Sequence, residues 1–327
     1  MKKVLALGNA LVDILIKIEN EKLLQSLELP KGAMTLVDES RVNAIMAEVG
    51  HLQKQETCGG SAANTISGLA RLGIPSGYIG KIGHDAYGAL FAAEMNKHGV
   101  AAHLFFGRAQ SGRALCFITP DSERTFATYL GSAIELAAAD LHLELFRGYD
   151  YLHIEGYLVQ NHQLFETAVR LAKEAGLEVS LDLASANVVA ENHGFLKEIV
   201  SQYVDIVFAN EEEAMSFSGK NSPHEAMVTI SPQCRIAVVK LGKNGSLVRQ
   251  KDEYHRIGCM PAQAVDTTGA GDLYAAGFLY GLVHDYPLNV CGNIGSLLSG
   301  KVVEVLGAKL DEQKWQEVEA ALPDLIS

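Results

Sequence analysis

The strongest constraint on the fold is a regular exchange of short apolar runs and helical stretches in the second half of the chain. Tyr151–Ile154, Glu178–Asp182, Ile206–Ala209 and Ile236–Lys240 are largely apolar and only four or five residues long. Gln163–Ala175, Phe195–Tyr203 and Glu211–Phe217 lie between them, with apolar residues at helical spacing. Runs this short read as strands, and apolar runs without alternation read as strands covered on both faces. A strand that returns through a helix lies parallel to its predecessor, so the pattern predicts a mostly parallel sheet with helices on either side. Leu273–Val283, Val290–Glu304 and Glu312–Leu322 continue the helical part, and Asp266 follows a further short extended piece.

The first half is more mixed. Val4–Leu7 is a short apolar run that ends in Gly8-Asn9, and Gly77–Ile82 is another strand. Ala62–Leu72 and Tyr87–His98 read as helices stopped by Gly73 and Gly99. Asp13–Ile18, Leu104–Phe106 and Ala114–Thr119 are β-like but fall outside the main alternation. Strands of that kind are expected to form a small separate sheet, roughly at 11–40 and 100–130, lying as a lid over one end of the larger one. Ligands in open parallel sheets bind beyond the carboxyl ends of the strands, where such a lid would exclude water. The expectation is one α/β domain over 1–327, in three layers.

Composition agrees. With 48% hydrophobic residues in 327, a large core is available, and no repeat or Pro/Gly-rich linker divides the chain. The opening MKKVLALGNALVDILIKIEN superficially resembles a signal peptide, but Asn9 and Asp13 interrupt it and no small-x-small site follows. No uninterrupted apolar run is long enough to span a membrane. The five cysteines are odd in number, widely spaced and without C-x-x-C, which reads as reduced thiols in a cytoplasmic protein. A net charge of −12 argues against nucleic acid or an anionic membrane as partner. A small anion would need backbone amides or a metal to hold it.

Ala264–Gly281, AVDTTGAGDLYAAGFLYG, offers such amides. Gly269 and Gly271 permit a tight turn and close approach of a ligand. A helix beginning there leaves its first N–H groups without intrahelical partners, pointed at one spot that suits phosphate. Asp272, next to that spot, is placed to take a proton from a substrate hydroxyl while the amides hold phosphoryl charge. A bare G-x-G-D is also common turn and capping chemistry. The flanking residues decide between the two.

Val265–Asp272, VDTTGAGD, resembles the C-terminal signature of the PfkB (ribokinase-like) carbohydrate kinase family. Gly59-Gly60-Ser61-Ala62-Ala63-Asn64, with Leu69–Gly73, Ile79–Gly83 and Asp85-x-x-Gly88, resembles the N-terminal one, and Asn210-Glu211-Glu212-Glu213 fits the family's N-x-x-E. Three signatures stand in family order from 59 to 272. The resemblance implies a ribokinase-like fold and transfer of the ATP γ-phosphate to an alcohol. It makes Asp272 the base and Gly269, Ala270 and Gly271 the anion hole. Asn210 and Glu213 would organise Mg²⁺, Glu213 through water. Asp13, Gly59, Gly60 and Asn64 match positions that hold substrate hydroxyls. Lys240-Leu241-Gly242-x-x-Gly245 resembles the nucleotide-contacting turn, with Lys240 where many members carry threonine. Asp266 and Thr268 sit where some members bind a monovalent cation such as K⁺.

Gly8–Asp13 and Gly156-Tyr157-Leu158 resemble the adenosine-kinase branch, and Asp121–Phe126 (DSERTF) resembles bacterial adenosine-kinase-like sugar kinases. Adenosine or a related ribose-containing compound is the first expectation for the acceptor, and a free sugar or sugar acid the second. Phe105, Phe106, Phe117, Phe126 and Tyr129 either wall a purine or pack within the lid or a dimer contact. Arg124 either reaches an anionic substrate group or pairs with Glu123 or Asp121. Monomer and homodimer fit equally. A dinucleotide oxidoreductase is disfavoured because the first strand leads into GNALVD, not G-x-G-x-x-G. A non-catalytic sugar sensor would have lost the base or the glycines.

Overall fold

The computed structural model describes residues 1–121 and 123–326. Its larger sheet has nine strands. Across the sheet they run Glu253–Ile257, Ser246–Gln250, Ile236–Lys240, Ile206–Asn210, Glu178–Asp182, Tyr151–Glu155, Val4–Leu7, Ser76–Ile82 and Ala101–Phe106. All run parallel except Ser246–Gln250, which pairs antiparallel with Ile236–Lys240 on one side and with the edge strand Glu253–Ile257 on the other.

The strands are apolar throughout because each divides its side chains between two cores. Val4 and Ala6, Ile206 and Phe208, and Ile236 and Val238 face one cluster. Leu5 and Leu7, Val207 and Ala209, and Ala237 and Val239 face the other. This is the period of two of a strand covered on both sides. The first face carries the helices Ser61–Arg71, Ala270–Val283 and Leu288–Val302, and the second carries His162–Glu174 and His193–Tyr203. The result is a three-layer α/β architecture. Trp315 and Val318 of the last helix are buried in the first core.

The small sheet has the order Met34–Leu36, Arg124–Tyr129, Gly112–Ile118, Leu11–Lys17 and Lys54–Gly59. It takes in Lys54–Gly59, which lies outside the segments expected for it, whereas Ala101–Phe106 pairs with Ser76–Ile82 at the edge of the large sheet. One face packs Val12, Ile14, Leu115 and Phe117 on Val42 and Ile45 of the helix Glu39–Glu48. The opposite face, with Asp13, Ala114 and Phe126, looks onto a cavity. The chain from 258 to 268 carries no strand, in contrast to the extended piece expected before Asp266. Ser122 of the DSERTF stretch lies outside the described residues.

Candidate active site

Four neighbouring parallel strands each end on a polar residue. These are Glu155, Asp182, Asn210 and Lys240, with Glu155 opposite Asp182 and Asn210 opposite Lys240 in register. Asn9 follows the end of Val4–Leu7. All five line a cavity of about 1310 Å³ between the carboxyl edge of the large sheet and the small sheet. Eight carboxylates face it, those of Asp13, Glu155, Asp182, Glu191, Glu211, Glu212, Glu213 and Asp272. Lys240 is the one cation among the described residues on its wall.

Gly269 is the N-cap of Ala270–Val283 and sits in the left-handed region at φ +76°. That conformation suits glycine and turns the chain abruptly into the helix. The amides of the first turn therefore open on the cavity, beside Ala270, Gly271 and Asp272. Asp272 is clamped from the facing helix: Ser61 Oγ donates to Oδ1 at 2.7 Å and Asn64 Nδ2 to Oδ2 at 2.9 Å. Burial raises the Asp272 carboxyl above the ordinary range, against the lowering effect of those two bonds. Asn64 Oδ1 is buried without a hydrogen-bond partner, an acceptor left for a ligand. Asp13 lies over Gly59, where any Cβ would collide with its carboxyl group. Burial lifts Asp13 to about 7, opposed by Lys309 and reinforced by Asp272.

At the other end Asn210 caps Glu211–Ser218 in a reciprocal box: Glu213 N donates to Asn210 Oδ1 at 2.9 Å and Asn210 N to Glu213 Oε2 at 2.7 Å. Glu213 is buried, and that burial, with Asp182 nearby, raises its pKa. Lys240 Nζ donates to Asp182 Oδ2 at 2.7 Å. Burial pulls the Lys240 pKa down, but Asp182, Glu213 and Asp272 outweigh it and keep the ammonium charged. Gly242 and Gly245 bracket the turn after Lys240 and line the same wall. The hard oxygen donors of Asn210 and Glu213 fit Mg²⁺, which binds through few protein ligands and retains water.

Of the residues singled out in the sequence, Asp13, Gly60, Asn64, Asn210, Glu213, Lys240, Gly242, Gly245, Thr268, Ala270, Gly271 and Asp272 share this wall, while Gly59 and Gly269 adjoin lining residues without lining it themselves. Three further residues belong to the site. Ser61 stands inside its own motif with no role assigned from the sequence, and His153-x-Glu155 reads in the sequence as a structural strand pair, not a site. Glu155 accepts bonds from Asn9 N, Asn9 Nδ2 and Ala62 N, and burial raises it to about 7 despite them. Asp182 anchors Lys240. The signal for Glu155 and Asp182 was a lone carboxylate ending an apolar run.

One reading is corrected, and another, left open between two alternatives, is divided. Arg124 pairs with neither Glu123 nor Asp121 through its side chain; its guanidinium forms a buried ion pair with Asp266 and donates to Thr268 Oγ1 at 3.0 Å. Of the five aromatics, Phe126 alone lines the cavity. Phe117 is in the core, Phe105 packs on the second core, Phe106 stacks on His84, and Tyr129 donates to Glu39.

The chain matches the pfkB family carbohydrate kinase over residues 36–315. A probable sugar kinase of Rhizobium etli superimposes with a TM-score of 0.89 at 31% identity, covering 99% of both chains. The adenosine kinase of Sinorhizobium meliloti superimposes with a TM-score of 0.88 at 32% identity, covering 98% of this chain and 99% of that one. An uncharacterized sugar kinase of Archaeoglobus fulgidus is 28% identical over 244 residues, 74% of this chain and 96% of the relative.

Proposed function

Within the pfkB family of carbohydrate kinases, to which this chain belongs as a phosphotransferase using ATP with Mg²⁺ on a sugar or nucleoside, we propose that the acceptor is adenosine or a related ribose-containing compound. The observation that carries this is the division of the cavity. Its hydroxyl-gripping end, with Asp13 and Asn64, is continued by Leu11, Phe126, Ile134 and Leu136, an apolar wall without a cation. An uncharged aromatic base fits such a wall, whereas the carboxylate of a sugar acid or a phosphate would be buried there unpaired. The adenosine kinase at 32% identity supports the same reading. A free neutral sugar is the second reading, supported by the probable sugar kinase at 31% identity.

In this reading Asp13, Asn64 and the backbone of Gly59 and Gly60 hold the acceptor hydroxyls. Asp272 takes the proton of the attacking hydroxyl, and the amides of Gly269, Ala270 and Gly271 hold the phosphoryl oxygens. Asn210 and Glu213 would hold Mg²⁺, Glu213 through water, and the ion supplies neutralisation of phosphate charge. Gly242 and Gly245 carry the nucleotide. The small sheet acts as a lid on one kinase unit. Asp266, expected to serve K⁺, already faces the Arg124 guanidinium, so the positive charge beside the turn comes from the chain. Five free thiols suit a cytoplasmic enzyme, and a monomer or homodimer suffices, since the cavity is lined from one chain.

The test is ADP release with Mg-ATP against adenosine, other nucleosides, ribose, fructose and related sugars, with Asp272→Asn as control. Adenosine should respond and Asp272→Asn should lose roughly 10²–10⁴ in turnover. Response to a sugar alone would replace the first reading by the second, and near-wild-type turnover in the variant would remove Asp272 as base.

A further inference from the structure

We propose that Lys240 is a catalytic residue of the transfer step, its ammonium contacting the phosphoryl group as it moves from ADP to the acceptor. This rests on the kinase reading above and deepens it. Three observations meet at this side chain. Lys240 is the one cation among the described residues on a wall that bears eight carboxylates. Its ammonium lies over the glycine turn: a Cβ built on Gly271 would stand 2.9 Å from Lys240 Nζ. A phosphoryl group held by the first amides of that helix is therefore within reach of Nζ. The side chain is also fixed, since Asp182 Oδ2 accepts from Nζ at 2.7 Å and the side chain is only 15% exposed. Asp182 is itself braced by Ala184 N, which donates to Oδ1 at 3.1 Å.

The side chain extends from the last residue of its strand toward Gly271 and Asp272. Its charge is maintained by Asp182, Glu213 and Asp272, so it is an ammonium through the working pH range. In the transfer, a lone pair of the acceptor oxygen forms the new bond to the γ-phosphorus. The bond from phosphorus to the bridging oxygen breaks, and its electron pair leaves on ADP. The hydroxyl proton passes to Asp272. Lys240 keeps its own proton and stabilises charge on the oxygens between the two ends, as a preorganised donor does. Threonine, common at this position in the resembling family, would offer a hydroxyl without charge. Asp182 is then the positioning residue for Lys240.

The experiment separates ground-state binding from transition-state stabilisation. Calorimetry measures ADP, and ADP with aluminium fluoride as planar phosphoryl mimic, in Mg²⁺ and adenosine, for wild type, Lys240→Met and Lys240→Arg; kcat and KM for ATP are measured in parallel. In Lys240→Met, ADP affinity should stay within about threefold, while the aluminium fluoride complex and kcat should each fall on the order of 10²–10³, the usual effect of losing one such donor. Lys240→Arg should recover much of both. Equal weakening of ADP and its aluminium fluoride complex would make Lys240 a nucleotide-binding side chain, and unchanged kcat would make the ion pair structural. Either result overturns the proposal. Should Asp182, left unpaired, unfold Lys240→Met, the double variant Lys240→Met/Asp182→Asn removes both charges and reads the same split. Wild type that transfers phosphate to no acceptor would instead sink the kinase reading itself.

Discussion

Asp13→Asn should make the unliganded protein more stable and a poorer catalyst, with a gain in stability that grows with pH. The Asp13 carboxyl takes no hydrogen bond among the described residues, and burial is the main reason its pKa rises from 3.8 to about 7. A carboxyl whose folded pKa lies above its unfolded value favours folding in its protonated form. Its contribution is complete below the unfolded pKa and is lost as pH rises through the folded one. Between these limits the rise corresponds to about 4 kcal/mol. Roughly 1–2 kcal/mol of that is already lost at pH 5 and the remainder by pH 8. Asparagine does not titrate. The stability difference between variant and wild type should therefore widen by about 2–3 kcal/mol from pH 5 to pH 8. Glu155, also near about 7, titrates in both proteins and cancels from the difference.

The assay is urea unfolding at pH 5, 6, 7 and 8, taking midpoint and slope together so that a change in the denatured state is not mistaken for stability. Turnover is read on the same samples. Loss of a charged hydrogen-bond partner for the acceptor costs about 1.5–3 kcal/mol, which lowers kcat/KM by roughly 10–150-fold. A difference that stays flat from pH 5 to 8 would refute the buried, ionisable Asp13 on which this reasoning stands. A pH-dependent gain without loss of kcat/KM would leave the electrostatics intact and remove Asp13 from the acceptor site.

Two further outcomes follow from contacts at the turn. Ser61→Ala removes one of the two bonds that lower the Asp272 pKa; the acid limb of the kcat/KM profile should move to higher pH, and an unmoved limb would dissociate Asp272 from it. With Arg124 already on Asp266, turnover in KCl and in choline chloride at equal ionic strength should agree within about twofold, whereas Arg124→Gln should bring a K⁺ requirement; wild type that needs K⁺ would show that the guanidinium leaves Asp266 during turnover.

What the sequence discloses of such a site depends on how far apart its partners are. Asn210 and Glu213 are legible because their box closes within one helical turn, and the glycine turn is legible because its residues are consecutive. Glu155 and Asp182 are single carboxylates after apolar runs, and only the packing of neighbouring strands brings them within reach of Asn9 and of the Lys240 side chain. For Arg124 the sequence offers a substrate anion or its neighbours Glu123 and Asp121, because nothing local points 142 positions on, to Asp266. Lys54–Gly59, KQETCG, lies at a sheet edge and has neither an apolar run nor clean alternation to mark it. The hairpin Ser246–Gln250 and Glu253–Ile257 turns at Lys251, at φ +53°, without the usual glycine. The aromatics show the limit most sharply. Phe117 and Phe126 are on paired strands of one sheet, yet Phe126 is opposite Cys116 and Met34, and Phe117 opposite Thr125. That offset sends Phe126 to the cavity and Phe117 to the core. Side chains alternate with period two, so slipping the strand Arg124–Tyr129 by a single residue would turn Phe126 to the core side with Phe117. Which aromatic faces the cavity is thus fixed by pairing between strands, and composition alone cannot reveal it.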